Sequence, residues 1–393
     1  MFGNNFWKDN GKIISMQYEQ ILRKSERRSH HHDPKGQAVT ACHLAWGNAQ
    51  KDIYIKNGIE NRRIAVCGHI AMDLLQPSFD SAYYSREEIA EKFDLDYKKK
   101  WVLFISTFAY KMMTDKEREA FKSIDPGTSV QIGLSLEAQR RIIQWLSKLS
   151  DERENVIVIY RKHPAERIDP DIMKLANSKC GRFRYIDDLS MRQWVRVTDR
   201  MYTWYSTSIA DPYFRKKMCW IIRPVDLPDD NEIEIMSGAN KVFTYDEFIQ
   251  TIDMNTEEMV FPISDEIMEY YYGKTADDGE DYSFLKIADV CERVFLGKEF
   301  YHRYRYFEKD MKFNALYKGI IGGFYGIMFE IARNFNFKIP LRLRQKKYFK
   351  SLSKYVAEGY HIDKEINEKK KMYFTIVETI HKSKGDYIYR NGK

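Results

Sequence analysis

Short apolar segments alternate with helical patterns at intervals of about 20 to 30 residues between positions 100 and 225, and this alternation constrains the fold most strongly. The segments are rich in Val, Ile and aromatic residues without clean alternation, which is typical of strands buried on both faces of a parallel sheet. Intervening helices imply right-handed βαβ crossovers, so the pattern predicts an α/β fold with a doubly wound parallel sheet. The predicted strands are Trp101–Ser106, Val156–Tyr160, Phe183–Ile186, Met201–Trp204 and Cys219–Ile222.

The sequence outside this region predicts two further parts. Arg62–Cys67 is a predicted strand followed by Gly68 and a helical pattern. Fewer residues precede this strand than the ~100 that a full Rossmann-like domain needs, so we expect that the chain begins inside a longer ancestral protein. We predict a reduced or truncated N-terminal domain in residues 1–76, a Rossmann-like domain in 77–300 and a helical segment in 301–393. Predicted helices are Ile13–Leu22, Leu136–Leu149, Pro170–Asn177, Met191–Val197, Ile209–Lys216, Tyr245–Ile252 and Asp281–Phe295.

Basic charge is concentrated at the C-terminal end. Residues 298–393 carry 22 Lys and Arg against 10 Asp and Glu, whereas the preceding residues carry 42 against 47. Within this segment Ala315–Phe329 is apolar and precedes a cluster of cations, which favours an in-plane helix at residues 315–350 on an anionic membrane surface. The alternative is a helix that packs on the α/β core and exposes a basic face. Nucleic acid is not expected as a partner, because neither an RNP-like aromatic platform nor a helix-turn-helix signature accompanies the cations.

The sequence lacks the signatures of several function classes. GxGxxG, GxxxxGK[ST], HExxH and GxSxG patterns do not occur, which argues against common NAD-dependent enzymes, P-loop enzymes, zincins and α/β-hydrolases. The cysteines are isolated in sequence, fit neither a disulfide framework nor a zinc site, and favour a reducing cytoplasm. The adjacent histidines His30–His32 cannot all face one ion from a regular element, so they are interpreted as a solvated loop. No secretory signal is found, nor a run of the ~18 to 20 apolar residues that spans a bilayer.

Basic side chains follow the predicted strand Val156–Tyr160 directly. Arg161, Lys162 and His163 stand there, and Pro164 stiffens the exit from the strand. Ligands of open α/β sheets bind at the carboxyl ends of the strands, where cations neutralise phosphate oxygens. The sequence therefore predicts a diphosphate-binding element, and a solvated basic loop is the alternative.

Hydroxyl groups follow the predicted strand Met201–Trp204. Ser206, Thr207 and Ser208 open a predicted helix, where backbone N–H groups and the helix dipole attract anions. Simple capping of the helix by Ser206 or Thr207 is the alternative. Asp211, one turn later, is placed to reach a ribose hydroxyl.

Two carboxylates follow the predicted strand Phe183–Ile186. Asp187, or the backbone beside it, is a candidate contact for a base or ribose. Asp188 is interpreted as a helix cap.

The segments that carry these side chains resemble motifs of GT-B proteins in their order along the chain. Gly68–Asp73 resembles the TGNPRFD turn before the second domain, whose first strand here ends near Thr107. Arg161–Pro164 resembles the RPHP element, with Lys162 in place of the usual Pro, and Tyr185–Asp188 resembles the strand end after it.

The last of these segments, Trp204–Ser208, resembles the SWNSTT turn, with Asp211 near a place where the family often carries Glu. Residues 40–300 are together similar to bacterial surface carbohydrate biosynthesis proteins, a group akin to CDP-glycerol glycerophosphotransferases and capsule glycosyltransferases. The resemblance implies a GT-B-like fold in which the Rossmann-like part is the second domain. It also implies that His163 and the Ser206–Ser208 turn bind the phosphates of a nucleotide-activated donor.

The resemblance further implies a transferase that moves a glycosyl or polyol-phosphate group from a nucleotide-activated sugar or polyol donor to a lipid-linked or polysaccharide acceptor. Such an enzyme needs neither cofactor nor metal, and His69 at the domain junction is the candidate base. Gly68, Asp73 and Thr107 would form the junction turn. Two alternatives stay open: a sugar-nucleotide epimerase of GT-B shape and a non-catalytic, truncated assembly factor. We expect a cytoplasmic protein, peripheral on the inner face of the cytoplasmic membrane.

Overall fold

The structure is a computed structural model that describes residues 14–17, 19–29, 33–34, 38–39, 41–122, 128–164, 166–179, 181–256, 259–273 and 282–295. The chain divides into two compact units. One comprises Ser15–Val39 and His43–Val290, and it holds almost all of the described residues. The other comprises Met1–Ile14, Thr40–Cys42 and Cys291–Lys393, of which few residues are described.

Strands and helices alternate through the described residues as the sequence pattern predicts. The strands are β1 (Ile14–Met16), β2 (Cys42–Ala45), β3 (Ile64–Val66), β4 (Lys100–Ile105), β5 (Val156–Arg161), β6 (Phe183–Tyr185), β7 (Arg200–Thr203), β8 (Cys219–Ile222) and β9 (Lys241–Val242). The helices are α1 (Lys24–Ser29), α2 (Asn48–Lys56), α3 (Ile70–Asp73), α4 (Arg86–Phe93), α5 (Asp115–Lys122), α6 (Thr128–Glu152), α7 (Pro170–Ser178), α8 (Met191–Val197), α9 (Ala210–Phe214), α10 (Tyr245–Asp253), α11 (Asp265–Tyr272) and α12 (Ser283–Phe295).

The larger sheet has six strands in the order β6-β5-β4-β7-β8-β9, and every neighbouring pair is parallel. Starting from β4, this is the doubly wound order in which the chain first adds strands on one side and then on the other. The direction reverses between β4 and β7, which makes their carboxyl ends the topological switch point. The predicted doubly wound α/β fold is confirmed.

Both faces of this sheet are covered, which explains why its strands carry apolar residues without alternation. One face of β4 contributes Leu103 and Ile105 to a core that includes Trp194 of α8. The other face contributes Val102 and Phe104 to a second core with the long helix α6. Consecutive side chains of one strand therefore enter two separate cores.

A smaller sheet of order β1-β2-β3 precedes the large one, and β2 and β3 are parallel. The helix predicted at Ile13–Leu22 is wrong, because Ile14–Met16 is a strand. The later residues of that range are held by side-chain hydrogen bonds instead: the amide of Gln20 donates to the carbonyl of Leu44 at 3.0 Å and accepts from the N–H of Trp46 at 2.7 Å. The predicted domain boundaries at residues 76 and 300 stay predictions.

Local side-chain chemistry sets several helix ends. Ser85 and Glu88 form a reciprocal capping box that starts α4, and Thr244 and Glu247 do the same for α10. None of the helices within the described ranges is both long and apolar enough to cross a membrane. The basic segment predicted at residues 315–350 and the histidines 30–32 lie outside the described residues.

Candidate functional site

The carboxyl ends of β4, β5 and β7 lie side by side at the switch point, and the predicted donor-binding residues leave the sheet there. Ile105 at the end of β4 pairs with Arg161 of β5 on one side and with Thr203 of β7 on the other. Thr107 and Ser206 therefore follow neighbouring strands at one edge of the sheet. The crevice outside this edge is where open α/β sheets bind ligands.

Arg161 is the last residue of β5 and is half-buried. One of its terminal nitrogens, Nη2, donates to the carbonyl of Leu189 at 3.0 Å. Its charge interacts with the carboxylates of Asp211 and Asp187. The side chain thus lies against both the β6 end and the β7 end of the site, as a shared anion contact would require.

Lys162 and His163 continue from Arg161. The Lys162 ammonium lies 3.6 Å from the Asp187 carboxylate, which pairs two residues that the sequence predicts to be in the site. His163 is exposed, and its pKa lies below the usual value, chiefly through desolvation and further through the charges of Arg161 and Lys162. A neutral imidazole beside two cations donates a hydrogen bond without adding charge.

The hydroxyl turn Ser206–Ser208 begins a 3-10 turn at Thr207–Ile209 rather than an α-helix. The Ser206 hydroxyl accepts from the N–H of Ser208 at 3.2 Å, so Ser206 caps the turn as its alternative interpretation predicts. The helix α9 follows directly. Thr207 and Ser208 are half-buried and Ser206 is buried, so within the turn the hydroxyls of Thr207 and Ser208 are the more accessible ones.

Buried contacts behind the turn hold it in place. Arg223 at the end of β8 donates to the carbonyl of Trp204 and forms an ion pair of 2.7 Å with Glu232. The hydroxyl of Tyr205 donates to the carbonyl of Asn231 at 2.7 Å. These bonds fix the two residues that precede the turn, and therefore the direction in which the turn leaves the sheet.

The ribose-binding prediction places Asp211 at the mouth of the site. The structure differs, because the Asp211 side chain is buried and the residue is only 6% exposed. Burial raises the pKa of its carboxyl to about 6, while the charges of Arg192 and Arg161 act in the opposite direction. The carboxylate therefore interacts with two guanidiniums, that of Arg161 at the end of β5 and that of Arg192 in α8. This interaction brings the Arg161 segment and the hydroxyl turn together.

Arg192 is a candidate that the sequence reasoning missed. It lies in the first turn of α8, where its Nε donates to the carbonyl of Ala71 at 2.8 Å. Its charge acts on Asp211 and on His69. A cation in the first turn of a helix is unfavourable, because the helix dipole is positive there. An arginine at this position of a predicted helix is therefore the sequence signal that could have indicated Arg192.

Two buried polar atoms at the same edge make no hydrogen bond to any described residue. They are the Thr107 hydroxyl after β4 and the Arg161 Nε at the end of β5. A buried polar atom without a partner costs about 1 to 3 kcal/mol unless a ligand or water satisfies it. Such atoms on adjacent strand ends indicate a place where a polar ligand would be stabilised.

His69 caps the short helix α3 through its ring. Nδ1 accepts from the N–H of Ala71 at 3.0 Å, which leaves the proton of the neutral ring on Nε2. Burial and the charge of Arg192 lower its pKa to about 4. The ring is also packed against Trp46, with centroids 3.8 Å apart. In this tautomer His69 is a hydrogen-bond donor, and its role as a base stays a prediction that requires Nδ1 to leave Ala71.

The other residues of the predicted junction turn have structural contacts. Gly68 has φ +83°, and a Cβ on Gly273 would lie only 2.8 Å from the Gly68 Cα. Asp73 is buried, and its carboxylate accepts from the N–H groups of Ser283 and Phe284, each at 3.0 Å. Asp73 thereby caps the first turn of α12.

Asp188 does not cap α8, which corrects its predicted role. Ser190 is the cap, and its hydroxyl accepts from the N–H of Gln193. Asp188 instead accepts from the N–H of Leu189, which has φ +66°, and pairs with Lys92 at 3.2 Å. The chain turns at Leu189, so the residue that caps the helix is two residues later than Asp188.

Glu19 is the second residue that the sequence reasoning missed. It precedes Gln20, the residue that is bonded to both Leu44 and Trp46. Its carboxyl interacts with the side chain of Thr207 in the hydroxyl turn. Nothing in the local sequence marks this residue, because the contact joins positions nearly 190 residues apart.

Fold and site together define an α/β protein whose switch-point edge carries two guanidiniums, an ammonium, hydroxyl groups and three carboxyls. No protein-family model and no curated protein sequence matches the chain. Among solved structures, it is similar to the complex of S. aureus MnaA with UDP, at 18% identity over 74% of this chain and 71% of that one, with a TM-score of 0.44.

The chain is also similar to solved structures of two other proteins. A variant of the wall teichoic acid polymerase TagF is 13% identical over 65% of this chain and 58% of that one, with a TM-score of 0.41. The UDP-GlcNAc 2-epimerase of Methanocaldococcus jannaschii, in complex with UDP-GlcNAc and UDP, is 13% identical over 57% of each chain, with a TM-score of 0.34. The chain thus spans less than two thirds of both. What its site can do follows from its own side chains.

Proposed function

We propose that the switch-point edge binds the diphosphate of a nucleotide-activated donor and that the protein is a transferase, which moves a glycosyl or polyol-phosphate group to a surface-glycan acceptor. The observation that carries this proposal is the meeting of Arg161 and Arg192 beside the hydroxyl turn, where Thr107 Oγ1 and Arg161 Nε are buried without partners. A diphosphate supplies both the negative charge and the acceptor oxygens that this set of donors calls for.

Charge supports this ligand over a neutral one. The two guanidiniums face a single buried carboxyl, Asp211, whose own pKa is about 6. Lys162 and His163 add donors directly after the same strand, β5, and Asp187 offsets the charge of Lys162. Three cations, Arg161, Arg192 and Lys162, therefore stand beside three carboxyls, of which Asp211 and Glu19 have pKa values raised to about 6 by burial. Guanidinium groups bind phosphate oxygens through paired hydrogen bonds, which are stronger than bonds between neutral groups.

The same cations account for group transfer. When the transferred group leaves the donor, negative charge develops on the nucleotide phosphate. Guanidinium groups already in place stabilise that charge without reorganisation, and such preorganised contacts contribute about 3 to 4 kcal/mol each in other enzymes. The chemistry needs no resident cofactor for this step.

A sugar-nucleotide epimerase is the second candidate, and one observation favours it. The carboxyls of Glu19 and Asp211 both have pKa values raised to about 6 by burial, and both lie at the hydroxyl turn. An epimerase needs an acid and a base on one bound sugar, and two carboxyls near neutrality are suited to these roles.

Donor binding is the first test. Isothermal titration calorimetry on the full chain with CDP-, CMP-, UDP- and GDP-activated donors should find at least one ligand. Arg192→Ala and Arg161→Ala should each weaken that ligand by about 10- to 100-fold, because each removes a charge-assisted contact worth ~1.5 to 3 kcal/mol. Arg140→Ala is the matched control, since Arg140 lies on the exposed surface of α6 and pairs only locally with Glu137.

The outcomes separate the candidates. No binding by any donor, or equal losses in Arg192→Ala and Arg140→Ala, would contradict the proposal. Product analysis with the bound donor then distinguishes the activities: transfer to an acceptor or hydrolysis supports a transferase, and inversion at the sugar supports an epimerase. Tight binding with no turnover under either assay supports the assembly factor. The acceptor, the membrane surface and the cellular location stay predictions.

A further inference from the structure

Glu19 lies on a segment that a buried side chain fixes to the small sheet. Gln20 is 1% exposed, and its amide makes two backbone hydrogen bonds, to Leu44 O and from Trp46 N. These bonds imitate the pairing of an additional strand at the end of β2. The backbone of Glu19 is therefore held in one position, although it belongs to neither a helix nor a strand.

The carboxyl group of Glu19 faces the hydroxyl turn. Its Oε1 accepts from the N–H of Ile21 at 3.0 Å, and the carboxyl interacts with the Thr207 side chain. The carbonyl of Thr207 is in turn held by the hydroxyl of Tyr272 at 3.1 Å. Glu19 is half-buried, so it combines a fixed position at the donor edge with access for a second substrate.

The carboxyl of Glu26 and the phenol of Tyr272 interact with Glu19. Burial raises the pKa of its carboxyl to about 6, the N–H groups of Ile21 and Gln20 lower it, and Glu26 of α1 raises it. Tyr272 of α11 is uncharged at neutral pH, because burial raises its pKa well above 10. A diphosphate bound at the same turn would bring further negative charge, which raises the pKa of Glu19 toward neutrality.

We infer that Glu19 is the general base that takes the proton from the acceptor hydroxyl, an inference that rests on the proposed transferase function. The acceptor oxygen forms a bond to the transferred group, and its proton moves to the Glu19 carboxylate. The bond between that group and the nucleotide phosphate breaks, and its electron pair leaves on the phosphate oxygen beside Arg161 and Arg192. A base is most effective when its pKa lies near the working pH.

Two other titratable groups, Asp211 and His69, are less suited to this role. Asp211 is almost fully buried beside two guanidiniums, where an acceptor hydroxyl has little access. His69 has its only lone pair engaged with the N–H of Ala71. Glu19 alone among these three combines a carboxylate with partial exposure.

Glu19→Gln tests the inference, because the amide keeps an oxygen for the Ile21 N–H while it loses the basic group. With the donor identified by calorimetry, this variant should bind it with an affinity within about threefold of the parent. Its kcat should fall about 100-fold or more, the range that general bases contribute. Glu137→Gln on the surface of α6 is the matched control and should leave kcat unchanged.

Proton uptake gives a second readout that does not need turnover. Calorimetry at pH 6.5 in buffers of different ionisation enthalpy should show that donor binding by the parent takes up a fraction of a proton. Glu19→Gln should reduce this uptake, and Glu19→Gln/Asp211→Asn should abolish it, since both carboxyls have pKa values of about 6. Uptake that disappears only in Asp211→Asn, or full turnover in Glu19→Gln, would overturn the inference. Failure of the parent to bind any donor would instead overturn the proposed function.

Discussion

Gly273 is a position where a single methyl group should measurably destabilise the protein. It ends α11 with φ 76° and ψ 164°, a backbone conformation that essentially only glycine adopts. A Cβ placed there would lie 2.4 Å from the carbonyl oxygen of Trp46 and 2.8 Å from the Cα of Gly68. Both contacts are to backbone atoms, so no side-chain rotation can relieve them.

The expected cost has two parts. The backbone conformation costs an alanine about 1 to 3 kcal/mol. The overlap adds roughly 1 to 3 kcal/mol, the usual cost of overpacking. Gly273→Ala should therefore lower the free energy of unfolding by about 2 to 6 kcal/mol. Gly58→Ala is the matched control, because Gly58 has φ +83° and a Cβ there would meet no atom within 4 Å. That control should cost only the backbone part.

Urea denaturation of the full chain, followed by circular dichroism, measures both variants. The Gly273→Ala midpoint should lie below that of Gly58→Ala by an amount that corresponds to at least about 1 kcal/mol. Donor affinity should also fall in Gly273→Ala, because the neighbouring Tyr272 holds the Thr207 carbonyl. Equal midpoints for the two alanine variants would refute the steric reasoning, since both positions have a positive φ and only Gly273 has the overlap.

Two further predictions concern buried charge. Glu232→Leu should lower the free energy of unfolding by about 3 to 5 kcal/mol, because it leaves Arg223 buried without its carboxylate, and the double variant Arg223→Met/Glu232→Leu should recover at least half of this loss in the same denaturation assay. No recovery would show that the ion pair is not the cause. Burial lowers the pKa of His69 to about 4 in the folded protein, against 6.5 for the free side chain. The neutral ring therefore stabilises the folded state fully above pH 6.5. This contribution is lost as the pH falls toward 4, by roughly 2 to 3 kcal/mol at pH 4.5. Asp211, with a raised pKa, acts in the opposite sense. His69→Asn keeps a capping oxygen and should lose less stability than the parent between pH 7 and 4.5, and equal losses would contradict the assignment.

The large sheet was predictable because its physical signal is local. Strands buried on both faces must be apolar at nearly every position, and the helices between them show their own period. The predicted Met191–Val197 and Cys219–Ile222 agree with α8 and β8 at both ends. The small sheet is only partly predictable, because β1 and β2 are three and four residues long and too short to show a period. The spacing of apolar residues in Ile13–Leu22 predicts a helix, but the side chain of Gln20 holds the later part of this segment through hydrogen bonds to the backbone of Leu44 and Trp46.

The candidate site was predictable to the extent that it follows strand ends. Arg161, Thr107 and Ser206 come directly after strands of a parallel sheet, so the sheet order alone brings them to one edge. The spacing correctly predicts that Asp211 lies one turn after the hydroxyl groups. It does not predict that the side chain is buried, because sequence spacing does not indicate burial.

Arg192 and Glu19 show what strand-end reasoning leaves out. Arg192 lies on a helix after β6, and Glu19 lies before β2, so neither follows a strand that neighbours the switch point. Both reach it because the core below brings α8 and the 19–22 segment against the same face of the sheet, where Trp194 and Ile21 are buried together. Arg192 and Glu19 are positioned by the packing of the core, so their positions do not depend on the residues at the strand ends. In the proposed mechanism, the residues at the sheet edge bind the phosphates of the donor, whereas Glu19 acts on the second substrate.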